Sequence, residues 1–333
     1  MRIMVTGGCG FIGLGVVKHL LQHATANSEI IIVDHLGRHG RHEELEKILQ
    51  NPAVRLIQMD ISDRERLFQL NMPIDRVYHL AAMIGVERST KNPSAALKTN
   101  TLATLNILEW FALHHNADAR FLFSSSSEVY AGGVELMNNW PVPTPEAVPM
   151  VIPDINNPRF SYALSKIWGE AWTNYAAREL GYFTINVRYH NIYGPAMGYD
   201  HVIPQVISRI KKREKPFRLV AGEQTRSFCW IDDAAAATRK IMEAPQIAPG
   251  TVVHIGNQKG EIEIAQLYEK IFSLCDWRPA ETLKEAAPAG SVARRCPDVS
   301  LLKKLTGFHT WTDLDSGLKP TVQWYLNHPG VDQ

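Results

Sequence analysis

Residues 6–13 read TGGCGFIG and follow directly on the apolar run Ile3, Met4 and Val5. Gly7, Gly10 and Gly13 are three residues apart, between a short strand expected over Arg2–Thr6 and a helix expected over Phe11–Gln22. The helix is read from the spacing of Phe11, Ile12, Val16, Val17, Leu20 and Leu21. Glycine between strand and helix permits a tight turn, lets backbone approach a pyrophosphate and lets the helix pack on the strand, while the helix N-terminus offers unpaired N–H groups to an anion. An ordinary strand-to-helix turn fits the same spacing, so the residues that follow matter. A second strand, residues 29–33, ends in Asp34, about 20 residues past the last glycine, where a carboxylate can accept the hydrogen bonds of an adenosine ribose and repel a 2′-phosphate. That favours NAD over NADP. Arg38 and Arg41 come next and either counter this or belong, with His35, His39 and His42, to a solvated basic loop.

Further strands are expected at residues 54–59, 77–80 and 120–123, alternating with helical stretches. This is the pattern of an α/β fold with a doubly wound parallel sheet, in which Asp60, closing the third strand, lies near the adenine. At 333 residues the chain has room for a second, smaller lobe. Lys and Arg total 35 against 34 Asp and Glu, which excludes a general attraction to nucleic acid or to an anionic membrane. An anionic ligand has to be caught locally. No apolar run is long enough to span a bilayer and no leader pattern opens the chain, so the expectation is a soluble, cytoplasmic protein. Cys9, Cys229, Cys275 and Cys296 show no metal-ligand spacing and are read as reduced thiols.

A helix is expected over Ser161–Leu180, stopped by Gly181. Tyr162 and Lys166, four residues apart, share one face, roughly opposite an apolar stripe of Leu164, Ile167, Trp168, Ala171, Trp172 and Tyr175 spaced for burial. Such a pair in isolation is usually surface. Its position argues otherwise, because FSSSSEVY, residues 123–130, stands just upstream at the end of the fifth strand, where open α/β sheets bind ligands.

Taken together, TGGCGFIG, Asp34, HLAA at 79–82, SSSSEVY, YALSK at 162–166 and RYHNIYGP at 188–195 resemble the extended short-chain dehydrogenase/reductase family, and within it the nucleotide-sugar epimerase/dehydratase branch. RSFCWIDD at 226–233 and RRCPD at 294–298 extend the resemblance to about residue 325. It implies NAD held by a Rossmann domain of residues 1–187, rejoined by about 228–256, and a nucleotide-diphosphate sugar held mainly by residues 188–333. The implied cofactor residues are Gly7, Gly10, Phe11, Ile12, Gly13, Asp34, Asp60, Ile61, Leu80, Ala81, Ala82, Tyr162, Lys166 and Tyr189. The implied sugar-nucleotide residues are Met83, Asn191, Val202, Ile203, Arg226 and Arg295. Tyr162 would take the proton of the hydroxyl on carbon 4 while hydride leaves that carbon, with Ser126 holding the same hydroxyl. A free phenol titrates near 10, so a base near neutrality needs it lowered by about 3 units, roughly 4 kcal/mol, a task assigned to Lys166 together with the positive nicotinamide ring.

The second step is expected to be epimerisation or dehydration of the 4-keto sugar, with decarboxylation of a nucleotide uronate close behind. Glu128 and Ser127 bear on the choice. Galactose-type epimerases usually carry no carboxylate at the Glu128 position, and the dTDP-glucose dehydratases carry Asp where this chain has Ser127. NPRFSYALSK and RRCPD resemble segments of a decarboxylase, with Arg295 as its arginine. A guanidinium there fits a sugar carboxylate or a pyrophosphate equally well. A non-catalytic NAD sensor and a net oxidoreductase that releases NADH remain as other classes. Ala131 and His190 depart from the common pattern, and the proline-rich residues 131–158 are expected beside the sugar pocket. Helices near residues 95–113 and 162–180 are apolar on more than one side, and the resemblance makes them the interface of a homodimer.

Overall fold

A computed structural model describes residues 1–37, 40, 42–84, 90–287 and 291–328; Arg38, His39 and Arg41, read above as a basic loop, lie outside them. Seven parallel strands form one sheet: β1 (Arg2–Thr6), β2 (Glu29–Asp34), β3 (Val54–Gln58), β4 (Ile74–His79), β5 (His115–Ser126), β6 (Thr184–Tyr189) and β7 (Thr251–Ile255). Their order is β7-β6-β5-β4-β1-β2-β3. Ile30, Ile31 and Ile32 are fully buried, as are Met4, Val5, Phe121, Leu122 and Phe123. Strands covered on both faces read as continuous apolar runs, which is why β1 and β2 were legible as they stood.

Helices α1 (Phe11–Gln22) and α2 (Glu43–Leu49) cover one face of the sheet. Helices α3 (Arg64–Leu67) and α4 (Pro93–His114) cover the other. After the short α5 (Ala131–Leu136) comes α6 (Ser161–Leu180), packed beside α4. A smaller lobe follows. Its core joins α7 (Val202–Lys211) and Phe217 to two later helices, α9 (Ile264–Leu274) and α11 (Leu314–Asn327). Between them, α8 (Ile231–Glu243) and α10 (Ser300–Thr306) return to the α1 face, and β7 pairs with β6. Strand order reverses between β1 and β4, so a crevice opens at their carboxyl ends, between TGGCGFIG and residues 80–83.

One expectation is overturned. The stripe on α6 read as buried is its outer side, with Trp172 36% and Tyr175 54% exposed, while Lys166 and Glu170 are only 3% and 2% exposed. The inner face is chosen by fit and charge pairing. Gly169 lies so close to the Phe123 ring that a Cβ would overlap it, and Glu170 meets Arg188 of β6 in a bidentate ion pair of 2.8 and 2.5 Å. Gly181 ends the helix as read, at φ 73°.

Gly169→Ala should therefore destabilise the protein despite gaining about 1 kcal/mol of helix propensity, because Phe123 is fully enclosed and overpacking costs about 1–3 kcal/mol. Urea unfolding should show a net loss of up to about 2 kcal/mol; raised stability would mean that the ring can give way.

Candidate active site

The turn after β1 is built for close approach. Gly7 has φ 70°, and a Cβ on it would sit 2.7 Å from the Ala81 backbone; a Cβ on Gly13 would overlap the Gly7 carbonyl. Gly10 caps α1, no acidic residue occupies the first turn, and the first intrahelical bond runs from Leu14 N to Gly10 O, so the N–H groups of Phe11, Ile12 and Gly13 keep their capacity for an anion. Asp34, at the end of β2, accepts from Cys9 N at 3.0 Å and from Leu36 N at 2.8 Å, which fixes it against the turn. Asp60 follows β3 next door: Met59 N donates to the Asp34 carbonyl, and the Asp60 carboxylate accepts from Ser62. Ile61 is buried, with its carbonyl accepting from Asn106.

Leu80, Ala81, Ala82 and Met83 form the opposite wall. Leu80 N donates to Thr6 O, and Met83 exchanges two hydrogen bonds with the Asn100 side chain, 2.7 Å from its N and 3.2 Å from its O. Asn100 also donates to Ser165 Oγ, tying this wall to α6. Sequence reading missed Asn100, which is one of several polar residues on α4 and has no local pattern to single it out.

At the N-terminus of α6, Tyr162 is hydrogen-bonded to Ser126. Lys166 lies with its Nζ 4.9 Å from the Phe123 ring centroid and 5.6 Å from that of Tyr162. Burial pushes the Lys166 ammonium down to about 7, with Glu170 pulling the other way. Burial, followed by the Glu128 carboxylate, raises the Tyr162 phenol above its usual range, and the bond to Ser126 opposes them. The expected lowering of that phenol is thus not supplied by the protein's own groups. The reason is enclosure: burial and the Glu128 carboxylate disfavour the phenolate by more than the Ser126 hydrogen bond favours it.

Beyond Ser126, the turn Ser127–Tyr130 presents Glu128. Its Oε1 accepts from Arg295 Nη1 at 2.6 Å, and its Oε2 is 3.6 Å from Arg159 Nη2. Burial pushes the carboxyl up, but Arg295, Arg159 and Arg226 outweigh it and hold it below the usual range. Arg295 stands beside Arg226 in the paired strands Arg294–Arg295 and Thr225–Ser227. Burial, then Arg295, pushes Arg226 down to about 10. Arg159 had been quoted only as part of a motif; its approach to Glu128 depends on the turn Pro158–Phe160, which spacing does not reveal.

Arg226 also lines a cavity of about 640 Å³ in the second lobe, with Asn191, Val202, Gln205 and Tyr268. Asn191, at φ 42°, donates to Ser227 O. Two candidates offer less than expected. The Ile203 side chain is fully buried in the lobe core, leaving only backbone for a ligand. Tyr189 spends its hydroxyl on Thr238 of α8, so only its ring is left. His190 is 1% exposed beside His254, without a hydrogen-bond partner for either ring nitrogen. Ala131 starts α5 at φ −54°, which needs no glycine.

Residues 3–256 match the NAD dependent epimerase/dehydratase family. The chain belongs to that family. It is 31% identical over 334 residues to UDP-N-acetyl-alpha-D-glucosaminuronate decarboxylase of Bacillus cytotoxicus, covering 97% of each chain. It is 29% identical to dTDP-glucose 4,6-dehydratase of Mycobacterium tuberculosis, covering 98% of this chain and 94% of that one. Among solved structures, dTDP-glucose 4,6-dehydratase from Streptomyces venezuelae with NAD bound superposes with a TM-score of 0.84 at 25% identity, covering 98% and 97%. The glycine turn, open helix end and Asp34 suit the family's cofactor, NAD, and Gly7 to Gly13, Asp34 and the 80–83 wall would hold it. Among the described residues, no helix is long and apolar enough to cross a membrane.

Lys166 binds its proton less tightly folded than unfolded, so stability without cofactor should rise as pH goes from about 7 toward 10, the window between its folded and ordinary values. Urea unfolding of wild type and Lys166→Met across that range should show the rise only in wild type. Equal slopes would mean Lys166 keeps its ordinary affinity for protons.

Proposed function

We propose that this chain is an NAD-dependent nucleotide-sugar enzyme that oxidises carbon 4 of a nucleotide uronate, releases its carboxyl group as carbon dioxide and then reduces carbon 4 again. Bound NAD takes up the hydride and later returns it. Ser126 and Tyr162 flank the oxygen on carbon 4, and Tyr162 receives its proton once the charge of the cofactor adds to that of Lys166. With a ketone at carbon 4, the bond between carbons 5 and 6 can break, carbon dioxide departs, and the electron pair passes to the ketone oxygen held by Tyr162. A proton from water then completes carbon 5.

The carrying observation is the 2.6 Å pair between Arg295 and Glu128. It moves the weight from epimerisation or dehydration, expected from sequence, to decarboxylation. Galactose-type epimerases usually carry no carboxylate at this place. Dehydration needs an acid for the departing hydroxyl, and the position before Glu128 is Ser127, a hydroxyl 3.5 Å from Arg295. Glu128, held ionised, is no proton donor. Three guanidiniums, Arg159, Arg226 and Arg295, surround this one carboxylate. The surplus positive charge suits a substrate with two anionic groups, a diphosphate toward Arg226 and the cavity and a carboxylate toward Arg295 and Arg159. Relatives at 31% identity include decarboxylases of such substrates by name.

Carbon dioxide release and product NMR should be followed for UDP-glucuronate and UDP-N-acetylglucosaminuronate, with UDP- and dTDP-glucose as controls. A nucleotide pentose from one of the uronates is expected. Arg295→Ala should slow its release by about 100-fold while NAD is still reduced. Epimer or 6-deoxy product from the neutral sugars, without decarboxylation, would overturn the reading.

Exposed Trp172 and Tyr175 on α6, with half-buried Trp168 stacked on Trp172 and Leu113 of α4 70% exposed, further suit pairing with a second copy of the chain. Sedimentation should give twice the chain mass, and Trp172→Glu should shift it toward one. A single-chain mass for wild type at every concentration would dismiss the dimer.

A further inference from the structure

The two halves of the Glu128–Arg295 pair come from segments 167 residues apart in sequence, yet they meet at 2.6 Å. Both hang from one side chain. Tyr130, closing the turn that presents Glu128, has its hydroxyl 2.7 Å from His254 Nε2. On the other side of the same ring, His254 Nδ1 is 3.0 Å from the carbonyl oxygen of Asp298, three residues beyond Arg295. A carbonyl only accepts, so Nδ1 carries the hydrogen and Nε2 accepts from Tyr130. Arg188 in turn donates to the Tyr130 oxygen, so the directions of all three bonds agree. His254 is fully buried and sits on β7, at the edge of the sheet; its own N–H, on the open side, donates to Glu146 Oε1 at 3.1 Å.

The proline-rich segment clasps the Arg295 side of this arrangement. Thr144 N donates to Cys296 O and Asp298 N to Thr144 O, both at 2.8 Å, bracketing Pro297. The Thr144 hydroxyl accepts from Trp140 Nε1 and donates to Pro141 O. Residues 140–146 therefore hold the backbone on which Arg295 is mounted, and His254 measures its distance from the Glu128 turn.

We infer that His254 is a positioning residue for the second chemical step, setting Arg295 against Glu128 through Tyr130 on one side and Asp298 on the other. The inference rests on the proposed role of Arg295 in that step, with Glu128 as the group that holds its guanidinium in place. It touches neither the glycine turn nor Lys166, so it separates the second step from carbon 4 oxidation. A displacement of about 1 Å in such a pair costs on the order of 100-fold in rate.

The test is single-turnover kinetics on whichever nucleotide sugar the wild-type enzyme converts, reading NAD reduction and final product separately. In His254→Phe, which keeps the ring and loses both bonds, NAD reduction should stay within about threefold while product formation falls by about 100-fold and the 4-keto sugar accumulates. His254→Gln can still accept from Tyr130, and His254→Asn can still donate to Asp298; each should restore part of the loss. Tyr130→Phe, which keeps the His254–Asp298 bond and the Arg188–Glu170 pair while removing the hydroxyl shared by His254 and Arg188, covers the case in which His254→Phe does not fold, and should give the same imbalance to a smaller degree. Equal effects on both steps in these variants, or wild-type partition in all of them, would overturn the inference. Because the ratio is read on the actual product, a wild-type enzyme that decarboxylates nothing refutes the proposed reaction and leaves this test intact.

Discussion

A buried ion pair between Arg188 and Glu170 sets the geometry on which the site depends. Arg188 is 3% and Glu170 2% exposed, and the carboxylate takes both of its bonds from the one guanidinium. Removing either partner from such a pair strands the other charge, at about 3–5 kcal/mol. The pair locks the rotation of α6 against β6, and with it the direction of Lys166 one turn earlier and Tyr162 two turns earlier. Arg188 also reaches Tyr130, so the same guanidinium holds the turn that carries Glu128. Such pairs contribute little net stability compared with apolar packing. What this one contributes is alignment.

Charge is then graded along the crevice. At the glycine turn, among the described residues, stand backbone N–H groups and the fixed carboxylate of Asp34. At the α6 end are a lysine and a phenol that burial drives toward neutrality, so each responds strongly to a charged ligand brought beside it. Further on, three guanidiniums crowd one carboxylate, and burial together with the neighbouring Arg295 pushes Arg226 below its usual range. An anionic ligand relieves repulsion there. The enclosed, weakly charged end suits hydride and proton movement, and the open, cationic end suits recognition.

The parts legible in the sequence were those carried by local pattern. Strand, glycine turn and helix α1 occupy consecutive residues, and the spacing of Gly7, Gly10 and Gly13 is itself the turn. Tyr162 and Lys166 share a helix face by geometry alone. Apolar spacing points to the wrong side of α6, because its buried side mixes small and polar residues fixed by individual partners, Glu170 by Arg188, Thr173 by Asn186 and Ser165 by Asn100. Asn100, Arg159 and His254 were missed for a related reason. Each matters through a partner distant in sequence, such as Ser165, Glu128 or Asp298, and no window around the residue contains that partner. Arg295 was found only because its neighbours resembled a known segment, and its meeting with Glu128 belongs to the fold.

The sheet is completed late. β7, which bears His254, is the last strand to join and lies at residues 251–255, after much of the second lobe has been traversed. Until it arrives, β6 is an open edge with fully buried Ile185 and Val187 beside unpaired N–H and C=O groups, the arrangement most prone to unwanted pairing. A growing chain on the ribosome can close its glycine turn early, but it has to be protected from its neighbours until nearly the whole length has emerged. Long-range closure of this kind is slow, and a shortened chain lacking residue 251 onward would carry the glycine turn while leaving a sticky edge in place of the histidine's strand.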